Sequence, residues 1–393
     1  MSDRGLEESA CVGHTVTLDH GRPPAADPSG CRACGGGESV TVLDLGPMPA
    51  ADHFPLAADP PHSGEAAHQL AMAVCRGCGL AQLVQDDTVT DEPRGVEPRA
   101  LREQAVDAVR RVAAAGLLRG RTVREFASPH GGSWLNLLAE RGIASTDGPA
   151  ELVLDCFGLM HERDQAAAVA ERVAATAPDG VLLLQYHPLR TIVSAGQWNA
   201  LRHGHFAYYT LKVLRGMLGR AGMSVVTAWD FGLYGGTVLI AAVHGADEPD
   251  DTVRRIVARE AGMDDPSVLS GLQRAADRHA EALRATLESE AARGSRVYAY
   301  GAASRAVALF CRAQVRRELL AGVADASPAK QGRRMPATDV PIISPAELIA
   351  ARPDRVLLTV PDLLTEVSER FPELAGRWLV DEPTDHVRER LIR

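Results

Sequence analysis

The sequence predicts an α/β protein in which a small four-cysteine module precedes two larger domains built from parallel strands and helices. Three observations carry this prediction. Two CxxC pairs lie near the amino terminus, apolar strand-like runs alternate with helical stretches in the middle, and a strand, a glycine turn and a helix follow one another near residue 300. At 393 residues the chain exceeds one ordinary hydrophobic core, so more than one domain is expected.

The composition is that of a soluble globular protein, with 46% apolar and 24% charged residues. A net charge of -9 disfavours nucleic acid and anionic membrane surfaces as partners. No run of about 18 apolar residues occurs, and the start, MSDRGLEESACVGHTV, is acidic and polar, so we expect a cytoplasmic protein. Four of the seven cysteines fall in the CxxC pairs, which fits a metal site in a reducing compartment.

The two CxxC pairs predict a structural zinc site. Cys31 and Cys34 lie in CRACGG, and Cys75 and Cys78 lie in CRGCGL about forty residues later. Each pair can place two thiolates on one metal ion, and four thiolates leave no open position for chemistry. A redox dithiol and a chance pairing are the alternatives. His53 lies close enough in sequence to be considered, but four cysteines suffice.

The stretch WNALRHGHFAYYT, residues 198–210, is the candidate proton-handling loop. His203 and His205 lie two residues apart, so on an extended segment they would face the same side. Arg202 and Tyr208 complete the set of candidate catalytic groups in this stretch. The alternative is a pair of surface histidines beside the start of a helix.

A Rossmann-like pattern is present but incomplete in the middle of the chain. A helix from Glu103 leads to a candidate first strand in RTVREFA, followed by a turn containing His130, Gly131 and Gly132. The next apolar run, ELVLDCF, carries Asp155, which with Asp147 is a candidate to bind a ribose. Tyr234, in LYGGTVLIAAV, is a further candidate catalytic residue.

The carboxy-terminal part shows a second Rossmann-like pattern. After a charged helix at about 265–292, the run SRVYAYGAASRAVALFC predicts a strand, a tight turn at Gly301 and a helix whose start could bind phosphate. The phrase ADASPAKQG then supplies polar groups at the end of a strand, and it could instead be a turn at a domain interface. Its candidate substrate-binding residues are Asp325, Ser327, Lys330 and Gln331.

Several of these phrases resemble one family. LDLGPMPAADHF followed by CRGCGLAQL, and later VADASPAKQGRRMPATDVP, are similar to the sugar C-methyltransferases of antibiotic biosynthesis. The resemblance covers about 31–378. It implies a zinc module, a domain that binds S-adenosylmethionine (SAM), a carboxy-terminal Rossmann-like domain, and a nucleotide-linked keto-deoxysugar as the methyl acceptor.

The chain differs from this family in the residues and strands that the family uses for catalysis and for SAM binding. The family's Tyr-His-Glu-His loop aligns with Arg202, His203, Gly204 and His205, so both histidines are kept and the tyrosine and glutamate are not. The second and third strands of the SAM fold have no counterpart in the sequence, which makes this domain truncated. We therefore expect the proton-transfer half of the chemistry to be kept and SAM binding to be lost.

The resulting organisation has five parts: a flexible tail at 1–30, a zinc-binding module at 31–90, a degenerate SAM-methyltransferase-like domain at 91–245, a helical connector at 246–292 and a Rossmann-like domain at 293–393. The leading hypothesis is a SAM-independent enzyme that carries out epimerisation, elimination or cyclisation on a keto or sugar-like metabolite. The alternatives are a SAM-dependent C-methyltransferase and a catalytically inactive partner subunit. The sequence does not specify the oligomeric state.

Overall fold

The computed structural model describes residues 30–88, 96–128, 132–383 and 388–389. In chain order its strands are β1 Ser39–Met48, β2 His68–Cys75, β3 Ala81–Leu83, β4 Thr122–Phe126, β5 Ala144–Ser145, β6 Ala150–Cys156, β7 Thr176–Tyr186, β8 Ala207–Tyr208, β9 Met223–Phe231, β10 Thr237–His244, β11 Val297–Tyr300, β12 Val323–Ala324, β13 Ile342–Ile343, β14 Arg355–Leu358, β15 Trp378–Val380 and β16 Arg388–Glu389. Its α-helices are α1 Arg99–Ala114, α2 Leu135–Ala139, α3 Gln165–Ala175, α4 Leu189–Ser194, α5 Leu211–Arg220, α6 Asp251–Arg259, α7 Pro266–Leu269, α8 Gly271–Ala292, α9 Ser304–Arg312, α10 Pro345–Ala350 and α11 Leu364–Arg370. The predicted tail lies outside the described residues except for Gly30.

The amino-terminal sheet has the order β1-β2-β3-β8 and is antiparallel throughout. Its first three strands come from the cysteine-containing segment. The fourth, β8, comes from the candidate proton-handling loop at residues 198–210, called the histidine loop from here on. It pairs with β3 through Ala81 opposite Tyr208 and Gln82 opposite Ala207. The histidine loop is therefore joined by backbone hydrogen bonds to the zinc module.

The middle sheet has the order β5-β4-β6-β7-β10-β9. The strands β5, β4, β6 and β7 are parallel to one another, whereas β10 is antiparallel to both of its neighbours. The prediction that both the second and the third strand are missing is wrong for one of them. A two-residue strand, β5, lies beside β4, with Ala144 opposite Thr122 and Ser145 opposite Val123.

Helices cover both faces of the middle sheet. Leu152 and Leu154 of β6 pack in one core with residues of α1 and α2, while Val153 between them packs in the opposite core with residues of α3 and α5. Successive strand residues point to opposite faces, so a strand buried on both sides must be apolar at every position. This explains the continuous apolar run that the sequence shows here.

The carboxy-terminal sheet has the order β13-β12-β11-β14-β15-β16 and is parallel except at β16. The predicted strand, tight turn and helix near residue 300 are confirmed as β11, a turn at Gly301 and α9. The predicted charged helix is two helices, α7 and α8, and α8 buries a stripe that includes Leu272, Leu283 and Leu287. None of the described helices combines the length and the apolar character needed to cross a membrane.

The amino-terminal sheet and the carboxy-terminal part share one apolar core. Leu43 of β1, Leu283 of α8 and Phe310 of α9 belong to the same buried cluster as Trp198, the first residue of the histidine loop. Apolar burial of this kind is the main stabilising contribution to folding. The histidine loop is thus fixed between elements that lie far apart in sequence.

Candidate functional site

The four predicted metal ligands come together. Their Sγ atoms all lie within 4.8 Å of one another, with Cys31 and Cys78 3.5 Å apart and Cys34 and Cys75 3.7 Å apart. This is the arrangement that a tetrahedral four-thiolate zinc site requires. The prediction that these cysteines form one cluster is confirmed. A zinc ion bound by all four would stabilise the module and leave no position for a substrate.

Backbone geometry brings the thiols together. Gly35 and Gly79, each after a CxxC pair, adopt the left-handed conformation and turn the chain back over the cysteines. The Ala33 N–H donates to the Cys31 sulfur at 3.4 Å. The hydrogen bond from Cys78 lowers the pKa of Cys31 to about 5, so the cluster favours thiolate formation at one member even before a metal binds.

A cavity of about 320 Å³ lies where the three sheets meet. Its wall includes Asp52 of the zinc module, Phe157 and Tyr234 of the middle sheet's loops, and the turn after β11 beginning at Gly301. The histidine loop contributes Arg202, His205 and Tyr208. Because a few polar groups converge in a mostly apolar pocket, this cavity is the candidate active site.

The histidine loop is held at both ends and at its middle. The Gly204 N–H donates to Oδ2 of Asp86 at 2.7 Å, and the Phe206 N–H donates to the carbonyl of Met160 at 2.7 Å. The Tyr208 hydroxyl accepts from the Arg202 N–H and donates to the Ala200 carbonyl, both at 3.2 Å. Burial raises the pKa of Tyr208, which therefore stays neutral and acts here as a brace for the loop.

Arg202 and His205 form a pair in the cavity wall. The Arg202 Nε–H donates to Nε2 of His205 at 2.8 Å. A guanidinium can only donate, so Nε2 of His205 carries no proton and the proton of the neutral ring lies on Nδ1. His161 packs edge-on against His205, with ring centroids 4.6 Å apart, and its pKa is lowered to about 4 by burial and by the charge of Arg202.

His203 does not belong to this site, and the expectation that the two loop histidines face the same side is wrong. Its side chain is 3% exposed and packs against β2, with Nε2 3.4 Å from the Gln69 carbonyl and its ring edge-on to His68. The reason is Gly204, whose φ of +78° places it in the left-handed region. The alternation of an extended segment does not hold across such a residue.

Tyr234 lines the cavity in a strained backbone conformation. Its φ of +58° is unusual for a residue with a large side chain. The Asp362 carboxylate accepts hydrogen bonds from the N–H groups of Tyr234 and Gly235, and the Gln197 side chain donates to the Tyr234 carbonyl at 3.2 Å. Neighbouring elements thus hold the residue in a conformation that it would not favour by itself.

Sequence reasoning did not select His187, Arg305 or Asp362, and all three line the cavity. Nε2 of His187 is buried and has no hydrogen-bond partner among the described residues. Burial and the charges of Arg305 and Arg202 lower the pKa of His187 to about 3, so the ring is neutral at physiological pH. A histidine directly after the buried strand β7 was the available signal, because the carboxyl ends of parallel strands gather functional residues.

The carboxy-terminal candidates form one hydrogen-bonded turn. The Asp325 carboxylate accepts from the N–H groups of Ala302 and Ser327 at 2.8 Å each, and Lys330 Nζ donates to the Ala302 carbonyl at 2.8 Å. Gly301 has a φ of +97°, and a Cβ there would lie 2.8 Å from Oγ1 of Thr359. Gly301, Asp325 and Lys330 line the cavity.

Ser327 and Gln331 support this turn from outside the cavity wall. Ser327 is 3% exposed, and its N–H is bonded to the Asp325 carboxylate. The Gln331 side chain donates to the Asp325 carbonyl at 3.0 Å. Their predicted role in contacting the substrate therefore becomes a role in holding Asp325.

The expected role of Asp155 in binding a cofactor is wrong. Its side chain is fully buried, its Oδ2 accepts from the Arg172 Nε–H at 2.9 Å, and its Oδ1 accepts from the N–H groups of Gly158 and Leu159. Both oxygens are used inside the fold. Of the predicted glycine turn, His130 and Gly131 lie outside the described residues, while Gly132 has a φ of +92° and packs against Leu101.

Two family models and one characterised relative match this chain. Residues 232–383 match the family of C-methyltransferase C-terminal domains, and residues 31–91 match a family of zinc binding domains. The C-methyltransferase NovU of Streptomyces niveus is 25% identical, over 91% of this chain and 96% of its own length.

Solved structures are similar over a smaller part of the chain. Magnesium protoporphyrin IX methyltransferase of Synechocystis is 14% identical over 37% of this chain and 83% of its own, with a TM-score of 0.28. An O-methyltransferase family protein of Burkholderia thailandensis is 15% identical over 38% and 58%, also with a TM-score of 0.28. TM-scores this low carry no functional argument. The family matches at both ends and the similarity to NovU along nearly the whole length show that this chain is a methyltransferase-like enzyme that resembles the C-methyltransferases.

Proposed function

We propose that this enzyme transfers a proton at the carbon next to a ketone, in a keto or sugar-like metabolite of secondary metabolism, without a methyl donor. The observation that carries the proposal is the convergence of Arg202, His205 and the neutral His187 on one cavity. Such a reaction needs a proton acceptor and a group that stabilises the charge on the enolate oxygen.

The roles follow from the hydrogen bonds. Arg202 places a fixed positive charge, held by His205, where negative charge would develop on the ketone oxygen. His187 accepts the proton from carbon at Nε2, while the electron pair of the broken C–H bond moves to the ketone oxygen. Return of the proton to the other face would give epimerisation, and loss of a neighbouring leaving group would give elimination.

The pKa of His187 is low when no substrate is bound in the cavity. Two guanidinium groups oppose protonation of the ring, and negative charge on a bound substrate would offset them. His187 would therefore become more basic as the enolate forms. This coupling would restrict proton abstraction to the occupied cavity.

Loss of the methyl donor is supported by the middle sheet. A domain of this type reads the ribose of its cofactor with an acidic residue that follows the second strand. Here that strand is only the two residues of β5, and the buried carboxylate of Asp155 is bonded to Arg172. These features favour chemistry that does not use SAM.

A second candidate is SAM-dependent C-methylation of a nucleotide-linked keto-deoxysugar. The extended similarity to a C-methyltransferase favours it, and Asp147 follows β5 as an exposed acidic residue that could bind a ribose. The same proton abstraction would then generate the carbanion that accepts the methyl group.

Calorimetry with SAM separates the two candidates. The proposal predicts no saturable heat with SAM at micromolar concentrations, and no gain of a methyl mass when the full chain is incubated with SAM and an extract of the metabolites that accumulate without the enzyme. Micromolar binding together with a methylated product would replace the proposal by the second candidate. An Asp147→Asn variant would then be expected to weaken SAM binding by about tenfold or more.

A further inference from the structure

Two guanidinium groups face the same part of the cavity. Arg202 comes from the histidine loop, and Arg305 comes from the first turn of α9. His187 and Tyr234 line the same cavity, and both arginine charges act on the rings of these residues. Burial and repulsion by Arg202 lower the pKa of Arg305, although the carboxylates of Asp381 and Asp362 act in the opposite direction. Two guanidinium groups therefore lie close enough to influence one another in the wall of this cavity.

Three carboxylates of the cavity wall accept hydrogen bonds from backbone groups. Asp325 accepts from two N–H groups of its own turn, Asp362 from those of Tyr234 and Gly235, and Glu366 from the Arg99 N–H at 2.9 Å. Asp381, a further carboxylate near Arg305, is bonded to His279 at 2.8 Å. For the Arg305 side chain no hydrogen bond is found within the described part of the chain.

We propose that Arg202 and Arg305 together bind an oxyanion of the substrate, a carboxylate or a phosphate ester, close to the reacting carbon. This assignment rests on the proposed function for the position of the reacting carbon. A guanidinium offers a planar fork of N–H donors that matches a carboxylate or a phosphate, and a desolvated one gains most from such a partner. An anion would also relieve the repulsion between the two arginines.

The size of the cavity narrows the substrate class. About 320 Å³ is at the lower end of the range of small-molecule sites. A compact acidic metabolite, with its anionic group at Arg202 and Arg305 and its ketone within reach of His187, suits this volume. The substrate class is therefore a keto acid or a keto sugar that bears an acidic group.

The test measures anion binding by the full chain with two probes, inorganic phosphate and acetate, at constant ionic strength. Calorimetry is done on the parent protein, Arg305→Gln, Arg202→Gln and two controls. Lys212→Gln changes an exposed lysine on α5 and Arg255→Gln an exposed arginine on α6, and neither residue lines the cavity. We expect each cavity arginine variant to bind at least about tenfold more weakly and both controls to bind like the parent. Stronger binding of acetate than phosphate would assign a carboxylate, and the reverse a phosphate ester.

Unchanged binding in both arginine variants would overturn the inference, as would an equal loss in the two control variants. If Arg305→Gln fails to fold, Arg305→Lys keeps the charge without the fork, and it should still bind at least a few-fold more weakly than the parent; equal affinity would count against the inference. Anion binding at the two arginines in an enzyme that exchanges no substrate proton would contradict the proposed function and leave this inference standing. Proton exchange that is lost in His187→Ala but insensitive to Arg305→Gln, with unchanged anion affinity in Arg305→Gln, would do the opposite.

Discussion

The protonation states of His187, in the cavity wall, and of His161, which packs against His205, are set by burial and by the neighbouring guanidinium groups. His161 and His187 both have lowered pKa values, of about 4 and about 3, and in both cases burial is the largest cause. A buried cation without a carboxylate partner is costly, so both rings lose the proton that an exposed histidine would begin to take up near pH 6.5. A histidine ring must be neutral in order to accept a proton from carbon, and His187 fulfils this condition.

The arginine contribution to His187 is testable by substitution. Replacing Arg305 with glutamine removes one of the two positive charges that act on the ring, so the pKa of His187 should rise from about 3 by roughly one unit. A two-dimensional NMR titration of the ring nitrogens measures it, with Arg255→Gln as the matched control. A His187 pKa that stays unchanged in Arg305→Gln would refute the proposed proximity.

Glu260 is a buried carboxyl group whose pKa differs between the folded and the unfolded chain. Burial raises its pKa to about 7, although it accepts the Leu211 N–H at 2.6 Å. The folded state therefore holds the proton more tightly than the unfolded chain. Its contribution to stability is largest below the ordinary carboxyl pKa and is lost as the pH rises toward 7.

The comparison variant is Glu260→Gln, which cannot titrate. Between pH 5 and pH 8 the free energy of unfolding of the parent should fall by about 2 kcal/mol relative to this variant. Urea denaturation at several pH values measures the difference, and effects common to both proteins, such as zinc loss, cancel. Parallel pH profiles for the two proteins would show that the burial of Glu260 has no such effect.

Which single residues could be predicted depended on whether their partners lie close in the sequence. The cysteine cluster followed from two local CxxC spacings, which the fold only had to bring together. The position of His203 depends on the left-handed conformation of Gly204 and on contacts with β2. The burial of Asp155 depends on Arg172, one element further along. No local pattern encodes such contacts.

Among the structural elements, the strands of the zinc module also position the histidine loop. Its strand β3 pairs with β8, and Asp86, just beyond β3, fixes Gly204. The cavity-facing side of the histidine loop is therefore positioned by the module. The sequence pattern predicted the glycine turn between β11 and α9, because a residue with the φ of Gly301 is usually glycine. The strand β5 was not predicted, because two residues are too few to show a strand periodicity.

Removal of one thiolate should therefore weaken zinc binding and destabilise the module that positions the histidine loop. Cys75→Ser is expected to bind less than one zinc per chain and to lower the thermal unfolding temperature, because metal binding and folding of such modules are coupled. Elemental analysis and calorimetric scans measure both, with Cys311→Ser on α9 as the control thiol. A Cys75→Ser protein with a full zinc content and parent stability would exclude the four-thiolate site.

At the scale of the whole molecule, a buried ion pair ties the zinc module to the carboxy-terminal domain. The Arg334 guanidinium bonds to both oxygens of Glu65, and the side chains are 2% and 8% exposed. Burial opposes the charge on Glu65, but the hydrogen bond from Arg334 and the Ala337 N–H outweigh it and lower the pKa of this carboxyl. The pair fixes these two outer parts of the chain to one another.

Glu65→Gln leaves Arg334 buried without its counter-charge. Truncation of one partner of a buried pair costs about 3–5 kcal/mol, and we expect a loss of that order in the free energy of unfolding. Because the folded pKa of Glu65 is lowered, the stabilisation is present above the ordinary carboxyl pKa and is lost as the pH falls through the folded value. Urea denaturation at pH 7 measures the loss, and a change below about 0.5 kcal/mol, as for a surface pair, would contradict this role.

We propose that proton transfer persists in this enzyme without a methyl donor. Deuterium uptake tests it most directly: the full chain is incubated in heavy water, without SAM, with the metabolites that accumulate in its absence. We predict that one keto metabolite gains deuterium next to its ketone, and that His187→Ala and Arg202→Gln slow this uptake by at least about a hundredfold. No uptake without SAM, together with uptake or methylation once SAM is added, would contradict the claim.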